Sequence, residues 1–149
     1  MPLAPLPLRD GRYLRVAINL FLADTADGRR LKVSTSSFQY QEGRDPDPGD
    51  SWIFRYDYLR EPPAGAPHSP MHLQVNADLR RREAMPDYMP LNRVHFPTSR
   101  VSIEAVIRLL AEEFHVECAE RPEVWRRMLT ESESLFKGIA HEFPSGPAA

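Results

Sequence analysis

The 149-residue sequence has a single cysteine, Cys118, which excludes an intramolecular disulfide and a zinc site built from several cysteines. No apolar run approaches the roughly 18 residues that a transmembrane helix needs. Charge of one sign is not in excess, because the formal net charge is −2, so bulk attraction to nucleic acid or to an acidic membrane is not expected. With neither disulfides nor a basic, helix-forming signal segment, we expect a cytoplasmic protein without membrane contact.

Common catalytic and ligand-binding motifs are also missing from the sequence. There is no glycine-rich phosphate loop, no Gly-x-Ser-x-Gly elbow and no His-Glu-x-x-His pair. His68 and His72 are four residues apart, but Pro70 stands between them, so they do not share a helix face. We therefore predict neither a metal site nor a cofactor.

The composition that remains is typical of a globular domain, with 42% apolar and 27% charged residues. The chain length suits one domain of modest core. We expect an extended lead-in over residues 1–11, a single domain over 12–143 and a flexible tail over 144–149.

Alternation of apolar and polar residues predicts the strands. Four segments qualify and a fifth, short one follows: 12–22, 30–40, 51–59, 71–77 and 93–96. Two helices are predicted after them, one capped by Ser102 and one beginning at Pro122. Strands followed by helices indicate an α+β fold, an antiparallel meander of four or five strands with two C-terminal helices packed on one face.

Polar side chains gather on two of these strands, which should be neighbours because they are consecutive. Arg55 and Asp57 share one face of the third strand. His72, Gln74 and Asn76 share one face of the fourth. In one register, Arg55 would hold a phosphate, Asp57 would orient the imidazole, and His72 would exchange a proton near neutral pH. Such a set would suffice for metal-independent cleavage of a phosphodiester, with Gln74 and Asn76 contacting the substrate.

His95 and the basic run Arg80-Arg81-Arg82 are further candidates for substrate contact, because cations can bind phosphates. Simpler interpretations stay open for these residues. The run is also typical of a solvated loop, and an antiparallel sheet often has one wet face on which Arg55 and Asp57 would be a surface ion pair. The aromatic residues on the other face of the third strand favour a core over a base-stacking platform.

Three stretches of the chain form a recognisable series: Phe54-Arg55-Tyr56-Asp57, then His72 in the following strand, then Phe96 through Ser102-Ile103-Glu104 into a helix. Over residues 52–114 this series resembles the small bacterial TumE-like toxin family, whose members have a Phe-Arg-Tyr-Asp-type strand and a His-x-His strand before a final helix. The resemblance implies an α+β protein of a toxin–antitoxin operon that acts on RNA and has a small antitoxin protein as partner. This chain has Gln74 where the family has its second histidine, so a histidine pair is not implied at that strand.

A second interpretation belongs to a different class of function. The protein would be a non-catalytic interaction or homodimerisation module, with the aromatic third strand or the second helix forming a homodimer or a partner interface. Trp125, Met128 and Phe136 are the anchors we expect in that case, because large apolar side chains dominate protein interfaces.

Overall fold

The structure is a computed structural model that describes residues 4–26, 28–44, 52–76 and 95–140. The predicted tail, 144–149, lies outside the described residues. In chain order the elements are strands β1 (Leu6–Pro7), β2 (Tyr13–Thr25), β3 (Gly28–Gln41), β4 (Trp52–Leu59), β5 (Met71–Val75) and β6 (Phe96–Pro97), then helices α1 (Ile103–Glu112) and α2 (Pro122–Ala140).

The six strands form one sheet whose spatial order follows the chain, β1-β2-β3-β4-β5-β6. The β1–β2, β3–β4, β4–β5 and β5–β6 pairs are antiparallel. This confirms the predicted α+β fold with an antiparallel meander followed by two helices. Both outer strands have only two residues, and β1 lies inside the segment expected as a lead-in.

The last strand differs from its predicted end. We expected the strand to stop before Pro97, yet Pro97 pairs with His72 and Phe96 pairs with Leu73. A proline has no N–H for a ladder, but an outer strand needs only one hydrogen-bonding side. This pairing brings residue 95 next to β5.

One face of the sheet is aromatic and buried. Tyr40 stands opposite Phe54, and Phe38 opposite Tyr56. Tyr40, Phe38 and Phe54 are 0%, 2% and 4% exposed, and the Tyr40 and Phe54 ring centroids are 5.5 Å apart. The interpretation of the aromatic strand as core is confirmed. The alternate residues of β3, β4 and β5 must then share the opposite, polar face.

The predicted half-buried strand over residues 12–22 is buried at Leu14 but exposed farther along. Leu14 is 3% exposed, whereas Leu20 and Leu22 are 51% and 62% exposed. The β3–β4 pairing ends at Thr35, so the preceding residues of β3 have no third strand beside them. Alternation in the sequence signals a strand but does not show how far its neighbours extend.

The chain divides into two compact units. The sheet unit consists of residues 1–19 and 34–101, and the helical unit of residues 20–33 and 102–149. Among the described residues of either unit, no helix is long and apolar enough to span a membrane.

Both helices of the helical unit are fixed by side-chain contacts. The Ser102 hydroxyl accepts a hydrogen bond from the Ala105 amide at 3.2 Å, which confirms the predicted N-cap. The Ser132 hydroxyl of α2 donates to the buried Glu104 carboxylate of α1 at 2.6 Å. An ion pair between Arg126 and Glu112 also joins the two helices, at 3.0 Å.

The turn after helix α1 contains a residue in the left-handed conformation that glycine usually adopts. His115 has a φ of 55°, and the Val116 amide after it donates to the Leu110 carbonyl at 3.0 Å. This bond spans seven residues, one more than the bond of a Schellman ending, and the left-handed His115 lies inside the turn that it closes. A side chain with a Cβ is strained in that conformation.

Replacing His115 by glycine should therefore raise the free energy of unfolding by about 1 kcal/mol. The matched control is Glu113→Gly, because Glu113 has right-handed backbone (φ −101°) and glycine there only adds freedom to the unfolded chain. Urea denaturation should show H115G more stable and E113G less stable than the parent. Equal losses in both variants would contradict the strain at His115.

Candidate functional site

The polar face of the sheet carries the residues that the sequence singles out. In the β4–β5 register, Arg55 stands opposite Gln74 and Asp57 opposite His72. Antiparallel residues that stand opposite each other project to the same face. The expected meeting of Arg55, Asp57 and His72 therefore follows from the pairing of two strands.

Arg55 is the centre of the hydrogen bonds on this face. Its Nε donates to Asp57 Oδ2 at 2.7 Å, and its Nη2 donates to Gln74 Oε1. The Arg55 side chain is 38% exposed and that of Asp57 is 24% exposed. The contact is thus a partly buried ion pair beside a buried amide, rather than the fully solvated surface pair of the simpler interpretation.

His72 is oriented by the backbone just before its strand. Its Nδ1 donates to the Ser69 carbonyl oxygen at 2.8 Å, because a carbonyl can only accept. The neutral ring therefore carries its proton on Nδ1, and Nε2 keeps its lone pair. Nε2 lies 3.6 Å from Asp57 Oδ2. This nitrogen can take up a proton, and the Asp57 carboxylate would then stabilise the imidazolium.

Two further histidines lie against His72. The His95 ring meets the His72 ring edge to face, with centroids 4.6 Å apart. The His68 ring stacks on His95 at 3.4 Å with 9° between the planes, and its centroid is 6.0 Å from that of His72. We refer to His68, His72 and His95 as the imidazole cluster.

Gln74 links Arg55 to the imidazole cluster and sets the protonation of His95. Arg55 has only donors, so the Gln74 oxygen must face it and the amide nitrogen must face His95. The Gln74 Nε2 to His95 Nε2 distance is 3.3 Å. A donor in this position requires a lone pair on His95 Nε2, whereas a protonated ring would place two donors together.

The pKa of His95 is lowered from its ordinary value of 6.5, first by burial of the ring and then by the neighbouring imidazoles and Arg55. The unfolded chain therefore binds this proton more tightly than the folded chain. Consequently, the contribution of His95 makes the folded state less stable as the pH falls below about 6.5.

Not every candidate residue joins this arrangement. The Asn76 amide donates to the Trp52 backbone carbonyl at 2.9 Å, so it joins the end of β5 to the start of β4. Arg80, Arg81 and Arg82 lie outside the described residues. His95 joins the cluster, as the hypothesis of substrate contact requires.

His68 is the member that sequence reasoning missed. The sequence shows only that His68 and His72 do not share a helix face, whereas the structure places His68 on a loop before β5. The loop closes where the Leu59 amide donates to the Pro70 carbonyl at 2.8 Å, which extends the β4–β5 ladder. The sequence did contain a signal for its position, because His68 lies only a few residues before the polar strand that carries His72.

Three histidines raise the question of a metal. Within the described ranges, no group of three or more histidine, cysteine or carboxylate side chains has an arrangement that could hold a metal ion. The parallel stack of His68 on His95 explains this, because lone pairs in parallel ring planes do not converge on one point.

Three comparisons with known proteins bear on the identity of the chain. No family model, no curated protein and no solved structure matches it.

The Gln74→Glu substitution tests the link between Arg55 and His95. A carboxylate would still accept from Arg55 but would also accept from a protonated His95, so the pKa of His95 should rise. NMR titration of the ring protons measures this shift. The same titration of the parent protein is the control. An unchanged His95 titration would contradict the hydrogen bond through Gln74.

Proposed function

We propose that this protein is a small toxin-like ribonuclease of a toxin–antitoxin operon, which cleaves RNA without a metal. One observation carries the proposal: a guanidinium, a carboxylate and an imidazole with a free Nε2 meet on one sheet face. The operon setting and the small antitoxin partner depend on the resemblance of residues 52–114 to the TumE-like family.

The proposed reaction assigns one task to each group. Arg55 binds the phosphate oxygens and stabilises the charge that develops on them. His72 Nε2 removes the proton of the ribose 2′-hydroxyl while the 2′ oxygen forms a bond to phosphorus and the bond to the 5′ oxygen breaks. The Asp57 carboxylate stabilises the resulting imidazolium. The departing 5′ oxygen takes a proton, so that atoms and charge balance.

A second imidazole is available for that last proton. The resemblance places a second histidine where this chain has Gln74, but the structure brings two other imidazoles beside His72. His95 is held with a lone pair on Nε2 by Gln74, so it is poorly suited to donate there. His68 is exposed and makes no hydrogen bond to Gln74, so we assign the donor role to His68.

The His72→Ala variant should lose cleavage of a fluorescent single-stranded RNA by about a hundredfold or more, because a general base contributes at least that much. Its expression should no longer arrest bacterial growth. His115→Ala is the matched control and should retain both properties. Circular dichroism of each variant checks that the fold is kept, since His72 lies on a strand. Cleavage that is equal in H72A and H115A would contradict the assigned base.

The interaction module is a second candidate function, and exposed apolar side chains of α2 favour it. Met128 is 55% exposed and Leu135 is 72% exposed, so both apolar residues present more than half of their surface to solvent. Trp125 is half-buried, with the Arg126 guanidinium over its ring at 4.9 Å. The side chain of Phe136 lies outside the described residues. The exposed surfaces of Trp125, Met128 and Leu135 would be covered in a homodimer.

If α2 forms a homodimer, Leu135→Glu should weaken it by about tenfold or more, because a charge would be buried in the interface. Sedimentation equilibrium over a concentration series measures the dissociation constant. Glu131→Gln, a conservative change at an exposed residue of the same helix, is the control and should leave the mass unchanged. A monomer at every concentration would reject the homodimer.

A further inference from the structure

A pocket of about 480 Å³ lies beside His72 in the sheet unit. Its floor is the polar face of the sheet, where Asn19 and Thr35 line it along with Asp57 and His72. The loop between β4 and β5 forms the wall with four prolines: Pro62, Pro63, Pro67 and Pro70. Proline rings have little conformational freedom to lose, so this wall is largely preformed.

The pocket has a charged end and a neutral end. His72 is on β5 and Asp57 on β4, whereas Thr35 is on β3 and Asn19 on β2. Neighbouring strands are about 4.8 Å apart, so the strand of Thr35 lies about 10 Å from that of His72 and the strand of Asn19 lies farther away. The lining residues that the structure describes include no lysine and no arginine. A phosphate therefore has its cation at Arg55, and the neutral end suits an uncharged group.

The neutral end matches the chemistry of a nucleobase. The prolines of the pocket wall present flat apolar surface, and Asn19 donates to Thr35 Oγ1 at 2.7 Å, which places an amide and a hydroxyl together at the floor. Binding pockets combine mostly apolar walls with a few polar groups that fix orientation. A volume near 480 Å³ is enough for one nucleotide, not for a stacked pair.

We propose that this pocket binds the base of a single unpaired nucleotide, and that the phosphate of the same nucleotide lies at Arg55 and His72. The inference rests on the proposed function, since it names the substrate of that site as single-stranded RNA. A base inside a duplex is stacked and paired. It cannot enter this pocket, because the proline-rich loop forms a wall opposite the sheet. The exposed His68 ring at the charged end adds a face on which a neighbouring base can stack.

Two alanines of the proline-rich loop give a matched test. Ala66 lines the pocket, whereas Ala64 is exposed and does not line it. Ala66→Phe should fill the pocket, and Ala64→Phe should add the same side chain outside it. Calorimetry with the full-length chain would measure binding of adenosine 3′-monophosphate, uridine 3′-monophosphate and inorganic phosphate. Cleavage of single-stranded and duplex RNA would be measured in parallel.

We expect at least one nucleotide to bind the parent protein about tenfold more tightly than inorganic phosphate does. A66F should abolish that difference and reduce single-strand cleavage by about tenfold or more, while A64F should match the parent. Duplex RNA should be cleaved poorly by all three proteins.

The outcomes separate this inference from the proposed function. If the parent cleaves RNA and A66F cleaves it as well as A64F, the pocket assignment is overturned and the ribonuclease stands. If the parent does not cleave RNA but A66F alone loses nucleotide binding, the ribonuclease is overturned and the pocket remains a nucleotide site. Nucleotides that bind no better than inorganic phosphate overturn the pocket assignment whatever the cleavage result.

Discussion

The register between β4 and β5 is the constraint on which the candidate site depends. It sets Asp57 opposite His72 and Arg55 opposite Gln74, and a slip of one residue would move a whole strand's side chains to the other face. The aromatic face opposes any such slip, because Phe54 and Tyr58 are only 4% and 6% exposed. The same alternation that buries these rings therefore assembles the polar groups, so the core and the site are specified together.

Within that register, Arg55 determines how its neighbours are oriented, because its guanidinium has only hydrogen-bond donors. Arg55 turns the oxygen of Gln74 toward itself, which turns the amide nitrogen toward His95. This amide leaves His95 with a lone pair where it faces Gln74. His72 is set independently, by the Ser69 carbonyl. Both neutral rings thus keep a lone pair on Nε2, but different partners set it: a backbone carbonyl for His72 and a side-chain amide for His95.

Much of this arrangement was predictable from the sequence, because a period of two fixes which residues share a face. The period of two predicts the strands of the meander, the aromatic core, and the shared face of Arg55 and Asp57. The Ser102 cap is predicted from the residue type before the helix. The meeting with His72 is predicted because consecutive strands are usually neighbours. The position of His68 does not, since it depends on the path of a loop whose prolines restrict φ without fixing direction. Likewise, the exposure of Leu20 and Leu22 depends on where the neighbouring strands end.

The charges on the polar face link the imidazole cluster to Arg55 and Asp57. Burial, the two neighbouring imidazoles and Arg55 lower the pKa of His95, so a proton on this ring is unfavourable without a counter-charge. Asp57 supplies one negative charge, but Arg55 already engages it at 2.7 Å. An anion bound at Arg55 would therefore favour proton uptake by His95, and by reciprocity a protonated His95 would strengthen anion binding. A site in which proton position and negative charge are linked in this way suits the transfer of a proton as charge develops on a phosphate.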